Sequence, residues 1–385
     1  MLFELDEDLR LLQATSLRLA RERFAGRAAH WDRASEPPLE NLKPLAAAGL
    51  AGITIGEAYG GSGATILHAV VAMEQIARVC PVTSAFILAN CTAAELIQQF
   101  GSEAQRLRYL PPLAAGETVG CWAMTEPGAG SAAGDMTTRA IADGDDFLIT
   151  GTKCFITRAA IAGFFVAFAR IGDEPGSQSI AAFIVERGDP GLRIGRLDSH
   201  MGLRGGASAE VVFDRCRVPA HRLVVKPGSF GRIMKGLNQA RVLNPTMCLG
   251  IAAEALDLAT AYAAGRRAFG RPIAQFQGIQ WMLAEMATKV EAMRALVYRA
   301  AAMLSASHAD GPQQAAIAKL YTGRAAFEVV NDAMQIHGGY GYSSEFPLER
   351  MLRDVRALQL GGGTNEILKN RIAAGLLRRG GAADG

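Results

Sequence analysis

The chain is 385 residues long, half of them hydrophobic and 20% charged, which is ordinary for a soluble globular protein and leaves room for two or three domains with sizeable cores. Its 40 basic and 37 acidic residues give a formal net charge of +3 without any dense Lys/Arg block, which argues against nucleic acid as a partner. The six cysteines are scattered with no CxxC pair, so free buried thiols and no metal site are expected. The N-terminus is amphipathic and acidic, unlike a signal peptide. No uncharged apolar run approaches the ~18–20 residues that span a bilayer, so a cytoplasmic protein without membrane insertion is expected.

Leu5, Leu9, Leu12, Ser16 and Leu19 recur at steps of three or four and predict a helix running to about Ala29. A second helix is predicted over 39–48, followed by a glycine-rich turn over 56–63 and helices over 69–79, 84–99 and 103–113. The period changes after Gly120. Short apolar runs at 147–150, 164–169, 180–185 and 211–213, punctuated by Gly, Asp and Pro, read as strands. From about Gly231 the helical period returns: Leu283, Met286, Val290, Met293 and Val297 lie on one face of a long helix, and 315–335 is another. The expected architecture is α+β in the order α, β, α, with domains over 1–118, 119–228 and 229–385 and a helical bundle at the end.

Several segments carry chemistry. Trp122-Ala123-Met124-Thr125-Glu126-Pro127-Gly128-Ala129-Gly130-Ser131 opens the β region. Gly128 and Gly130 let the backbone approach a planar or anionic ligand, Thr125 and Ser131 add donors, and Trp122 can pack on an aromatic ring; as composition alone, the segment is equally a turn between helix and strand. Arg266-Arg267-Ala268-Phe269-Gly270-Arg271-Pro272-Ile273 ends a helix with a guanidinium suited to a pyrophosphate. Gln277, eleven residues beyond Arg266, can face the same ligand across the Gly270/Pro272 break, although arginines on helices are as a rule solvated. In Gln335-Ile336-His337-Gly338-Gly339-Tyr340-Gly341-Tyr342, a lone histidine between apolar residues and glycines reads as packing, not as a base. Leu360-Gly361-Gly362-Gly363-Thr364-Asn365-Glu366-Ile367 separates a helix ending near Arg356 from one starting near Glu366, whose charge suits a helix N-terminus. No GxGxxG turn links a strand to a helix, so a Rossmann nucleotide site is not expected.

Over nearly the whole chain these segments resemble the acyl-CoA dehydrogenase family. Trp122–Ser131 is similar to its (aromatic)-x-x-Thr-Glu-Pro-x-x-Gly-Ser signature. Gly151–Thr157 is similar to Gly-x-Lys-x-Trp-Ile-Thr with Phe155 for tryptophan, and Met201–Gly205 with Val211–Pro219 to a second signature with Cys216 for a valine. Arg266–Gln277, Gln335–Gly341 and Gly361–Ile367 each match a further family segment. The resemblance implies an N-terminal α-helical domain, a middle β-barrel or sheet domain and a C-terminal four-helix bundle. It implies FAD held by Trp122, Met124, Thr125, Gly130, Ser131, Phe155, Ile156, Thr157, Arg266, Phe269, Gln277, Gln335, Ile336, Gly338, Gly339, Thr364 and Glu366. It implies an acyl-CoA substrate contacted by Ser131, Asn238, Arg241, Gly362 and Gly363, electron-transfer flavoprotein as the acceptor, and a homotetramer. The chain departs from the pattern at the base. The family glutamate removes the substrate α-proton, and its position reads Gly362; the position a subset of the family uses instead reads Ala240. Three readings follow: an acyl-CoA dehydrogenase with an unassigned base, a base-lacking relative resembling 3-sulfinopropionyl-CoA desulfinases, or a non-catalytic FAD or acyl-CoA binding subunit. The arginine those desulfinases carry near Cys80–Asn90 has no counterpart in the segment 81–86.

Overall fold

The structure, a computed structural model, describes residues 4–174 and 176–381. The first third is helical. Asp6 caps α1 (Glu7–Arg23) by accepting from Leu9 N at 2.8 Å, which satisfies a first-turn donor. The single helix predicted to Ala29 is two: a short 3-10 turn containing Gly26, a poor helix former, separates α1 from α2 (Ala28–Ala34). The helix expected over 39–48 shortens to α3 (Leu42–Ala47), preceded by another 3-10 turn. α4 (Ile66–Val79) and α5 (Pro81–Phe100) meet at Cys80, with Pro81 in the first helical position, where its missing N–H removes no bond. α6 (Glu103–Ala114) starts on a capping box made by Ser102 and Gln105.

The middle of the chain is one eight-stranded sheet. Its strands are β1 (Gly120–Ala123), β2 (Arg139–Asp143), β3 (Asp146–Ile156), β4 (Phe164–Arg170), β5 (Ile180–Glu186), β6 (Leu192–Leu197), β7 (Ala209–Pro219) and β8 (Leu223–Val225). They run in the order β6-β7-β3-β2-β4-β5-β8, with β1 parallel to β4 at the side. β4 and β5 are covered on both faces, which is why their sequences are unbroken apolar runs. Phe164, Val166 and Phe168 pack with Leu96, Ile97, Tyr109 and Leu113 of α5 and α6, while Phe165, Ala167 and Ala169 face the other core, shared with β3 and β7. Alternation along one strand thus docks the sheet onto the first helical region.

The last part is α7 (Phe230–Gly265), a tight hairpin of β9 (Arg267–Ala268) and β10 (Arg271–Pro272), α8 (Gln277–Ser305), α9 (Gly311–His337), α10 (Gly339–Tyr342), α11 (Leu348–Leu358) and α12 (Asn365–Gly381). α7, α8 and α9 pack on one another, and α11 and α12 pack on α9. The apolar stripe expected on α8 is the buried one: Met286, Val290, Met293 and Val297 enter the core. α4 and α5 also pack on α7, so the first and last regions share a single core. α7 also bears on membrane insertion. By length and composition it is a helix apolar enough to cross a membrane, but 61% of its most apolar window is buried inside the protein, as for the central helix of a folded core. All six cysteines are buried free thiols.

Candidate active site

Two segments about 70 residues apart in sequence form one cleft of roughly 560 Å³. Arg266, the C-cap of α7, lines it together with Gln335, Ile336, Gly338 and Gly339 at the end of α9. Gly338 has φ +58 and a Cβ on either glycine would meet nothing within 4 Å, so the open backbone there faces the cleft and not another part of the chain. The Arg266 guanidinium lies over the Tyr340 ring at 5.9 Å, a position from which it can serve an anion in the cleft. His337 is packed as the sequence suggested: its ring stacks on Tyr262 at 4.2 Å, one nitrogen bonds Ala333 O at 2.8 Å, and burial pushes its pKa down. Phe269 and Gln277 stand apart from these residues. The β9–β10 hairpin turns at Phe269 and Gly270, both with positive φ, the geometry of a two-residue type I′ turn. It thrusts Phe269 outward, 95% exposed. Gln277 opens α8 on the surface and does not line the cleft, so the two-helix grip expected from Arg266 and Gln277 is not made within one chain.

A second face forms where β1 leaves the helical region. Trp122 is half-buried against Phe168, with ring centroids 4.6 Å apart, and Met124 is buried in the same core. Thr125 O accepts from Cys154 N at 2.9 Å, which ties the Thr-Glu-Pro segment to β3. At the end of β3 the side chains alternate: Phe155 is 65% exposed and Thr157 is exposed, whereas Ile156 is in the core and offers only its backbone. An exposed phenylalanine next to an exposed threonine on a strand end is a platform for a flat ring with a polar edge. Gly130 and Ser131 are exposed in the loop beyond.

Beneath this platform lies a buried ion pair. Lys153 Nζ donates to Glu126 Oε1 at 2.7 Å and to Met124 O at 3.2 Å. Thr137 and Thr138 donate their amide and hydroxyl hydrogens to the same carboxylate. Burial works against the charge of Glu126, but Lys153 and these four donors win and hold its pKa down at about 2. Glu126 and Lys153 each sit inside one of the segments quoted above, so a carboxylate and an ammonium in two facing motifs were the signal for the pair.

The third group surrounds the glycine loop. Gly362 and Gly363 have φ +73 and +108, so both occupy backbone regions that side chains disfavour. Thr364 Oγ1 accepts from Ile367 N at 3.4 Å and starts α12, with Glu366 in its first turn. Lys319 of α9, wholly buried, donates to Gln359 O at 2.9 Å and to Gly363 O at 2.7 Å, fastening both ends of the loop. A Cβ on Gly362 would lie 4.0 Å from the side chain of Asn244 on α7. One turn earlier on α7 is Ala240, buried and without any polar group. Asn238 Oδ1 accepts from Arg241 Nη1 at 3.1 Å and from Arg371 Nη2 at 3.3 Å. Pro245, inside α7, lacks the N–H that would bond the Arg241 carbonyl, so the ladder is interrupted at this turn. Asn244 and Lys319 were not singled out from the sequence; the signal for Asn244 was its place four residues beyond Ala240 on one helical face.

The comparisons with known proteins identify the family to which this fold belongs. Models of the acyl-CoA dehydrogenase N-terminal, middle and C-terminal domains match residues 6–117, 121–216 and 230–377. An acryloyl-CoA reductase (NADH) of Anaerotignum propionicum is 40% identical, over 98% of this chain and 96% of that protein. A 3-sulfinopropanoyl-CoA desulfinase of Paraburkholderia xenovorans is 41% identical, over 98% of this chain and 97% of that protein. The solved structure of butyryl-CoA dehydrogenase from Megasphaera elsdenii superposes with a TM-score of 0.95 at 33% identity, covering 98% of this chain and all of that one. With matched models spanning each of its three regions in order, this chain belongs to the acyl-CoA dehydrogenase family.

Proposed function

We propose that the chain is an FAD-dependent oxidoreductase that takes hydrogen from the α and β carbons of an acyl-CoA thioester. The observation that carries this reading is the convergence of Arg266 with Gln335–Gly339 on one cleft whose glycines have no neighbour within the chain. The residues fit the group. The cleft offers a guanidinium and free backbone for a diphosphate, and Phe155 and Thr157, with Trp122 and Thr125 nearby in the fold, offer a surface for a ring system. When bound, the flavin supplies the hydride acceptor.

This chain's own residues supply binding and positioning. Asn238 and Arg241 on α7 hold the thioester end of the substrate, and Ser131 reaches it from the β region. The loop fastened by Lys319 closes over the acyl carbons, and Thr364 and Glu366 at the start of α12 meet the cofactor. Neither Gly362 nor Ala240 can take the α-proton, which therefore passes to a base outside these two positions; a positioned base is typically worth about 10²–10⁴-fold in rate. The exposed Phe269 and the surface Gln277 are offered to a second copy of the chain, in a homotetramer in which one protomer completes its neighbour's FAD site. Electron-transfer flavoprotein is the proposed acceptor, and the cytoplasm the proposed compartment.

The test is optical. The purified protein should show a flavin spectrum, and anaerobic addition of one among a panel of saturated acyl-CoAs should bleach the flavin band. Product formed with the colour retained would overturn dehydrogenation in favour of flavin-inert chemistry. A colourless protein that FAD cannot reconstitute would overturn the reading as a whole.

A further inference from the structure

Arg158, in the turn that follows β3, is a cation buried without an anion. Its side chain is wholly buried, and the guanidinium lies 4.2 Å over the Phe86 ring of α5. Nη2 donates to Val82 O at 2.7 Å, while Nε and Nη1 are buried with no partner among the described residues. The backbone is strained to hold it there, with φ at +66, a region that side chains disfavour. Its amide donates to Gly206 O at 2.9 Å, and its carbonyl accepts from Ile161 N and Ala162 N at 2.9 Å each. Burial lowers the pKa of the guanidinium only to about 10, so it stays charged at neutral pH.

The charges around this turn do not cancel. Among the described residues no carboxylate pairs with Arg158, and the groups that act on its charge are the thiols of Cys121 and Cys80. Both thiols stay neutral: burial pushes Cys121 up to about 12 and raises Cys80 as well. Cys121 Sγ donates to Thr157 O at 3.1 Å, and Cys80 Sγ accepts from Thr83 Oγ1 at 3.0 Å. Asp354 acts on Cys80 but not on Arg158; it accepts from Leu203 N at 2.6 Å and has Arg350 and Arg353 beside it. Glu126, beneath the Phe155–Thr157 platform, is answered by Lys153. Arg187, exposed, donates to Ala159 O and Ala162 O on the same turn and adds a second positive charge. A net positive charge therefore remains at the residue next to Thr157.

We infer that Arg158 sets the reduction potential of the flavin, its unpaired charge stabilising the ring once a hydride has arrived. The inference rests on the acyl-CoA reading above, in which Phe155 and Thr157 form the platform for the ring. A hydride brings one proton and two electrons, so a neutral ring that accepts it gains one unit of negative charge. Arg158 directly follows Thr157, and consecutive Cα atoms lie about 3.8 Å apart. Opposite unit charges on the order of 10 Å apart, at an effective dielectric of about 20, shift an equilibrium about 10–20-fold. The reduced flavin is held more tightly than the oxidised one by about that factor, and tenfold is about 30 mV for a two-electron couple. A side chain needed only to fill the space under α5 would do so without the cost of an unpaired buried charge.

Anaerobic redox titration of the FAD-loaded protein tests it. Arg158→Met keeps the bulk and removes the charge; its midpoint is expected about 30 mV below the parent's, a tenfold loss of preference for reduced flavin. Arg158→Lys keeps the charge and should stay within about threefold of the parent, roughly 15 mV. A methionine variant that titrates at the parent's midpoint assigns Arg158 to packing and overturns the inference, as does an equal drop in both variants. The parent itself should titrate above free FAD; a midpoint at or below that of free FAD overturns the inference even where no variant folds. A protein that takes up no FAD removes the acyl-CoA reading and the inference together, whereas one that takes it up and fails the comparison of midpoints loses the inference alone.

Discussion

Placing a glutamate at position 362 separates the scaffold from the chemistry it lacks. A side chain there meets Asn244 at 4.0 Å, an ordinary contact, so there is room. The backbone is less accommodating: at φ +73 a residue with a Cβ is disfavoured by about 1–2 kcal/mol relative to glycine. That strain is present in the free enzyme and the transition state alike, so it lowers stability and not rate. The rate term is the gain of a base, about 10²–10⁴-fold, or roughly 3–5 kcal/mol of barrier. Lys319, whose ammonium bonds the carbonyl of the next residue, favours the ionised carboxylate a base requires. Gly362→Glu should therefore lose a little stability yet reduce its flavin at least about 100-fold faster than the parent under anaerobic single-turnover conditions with a saturated acyl-CoA. Gly362→Ala is the control, because it carries the backbone strain without the carboxylate. If the glutamate variant folds and retains FAD but reduces no faster than the alanine variant, the loop does not stand beside the reacting carbons and the argument for this site fails.

Arg266→Ala should weaken FAD binding by about 10–100-fold, the worth of hydrogen bonds to a charged group, read as flavin lost on dialysis while thermal unfolding of the reconstituted protein stays cooperative. Lys153→Met leaves Glu126 buried without its cation and should cost about 3–5 kcal/mol in denaturant unfolding. The same pair sets an acid dependence. The folded pKa of Glu126, about 2, lies below its ordinary 4.5, so its contribution is complete above about pH 4.5 and is lost as pH falls toward 2. Unfolding midpoints measured across that window should slope in the parent and flatten in Lys153→Met. Phe269→Ser should reduce self-association in light scattering, since it removes a 95% exposed aromatic from the hairpin; an unchanged mass would remove that hairpin from the interface.

The parts of the fold that could be read in advance are those whose burial is local. β4 and β5 are covered on both faces and show as unbroken apolar runs; β6, with a mixed burial pattern, and the short β1 and β8 do not. Pro81 and the capping box at Ser102 mark helix starts by their own chemistry. The site divides in the same way. Glycine and arginine segments with fixed spacing stood out, and the structure brings Arg266 and Gln335–Gly339 together. Lys319 and Asn244 did not stand out, because their importance comes from a loop 44 residues away in one case and about 118 in the other. A buried lysine is indistinguishable in sequence from a solvated one until the carbonyls it serves are in place.

The hydrogen bonds of Lys319 bear on what the site has kept. A run of three glycines has more conformational freedom to lose on folding than any other tripeptide, and Gly363 has no neighbour that a side chain could press against. The protein holds this loop by burying an ammonium under it, a costly choice whose return is a fixed backbone path from Gln359 to Gly363. If the loop served only to present a base, its replacement by glycine would leave that path without purpose, and the buried cation would be a liability. The path is instead anchored at both ends, leads into Thr364 and the first turn of α12, and runs past an amide with no partner. A loop fastened at both ends by a buried ammonium and leading straight into a helix is a positioning device, and it needs no carboxylate at position 362 to do that work.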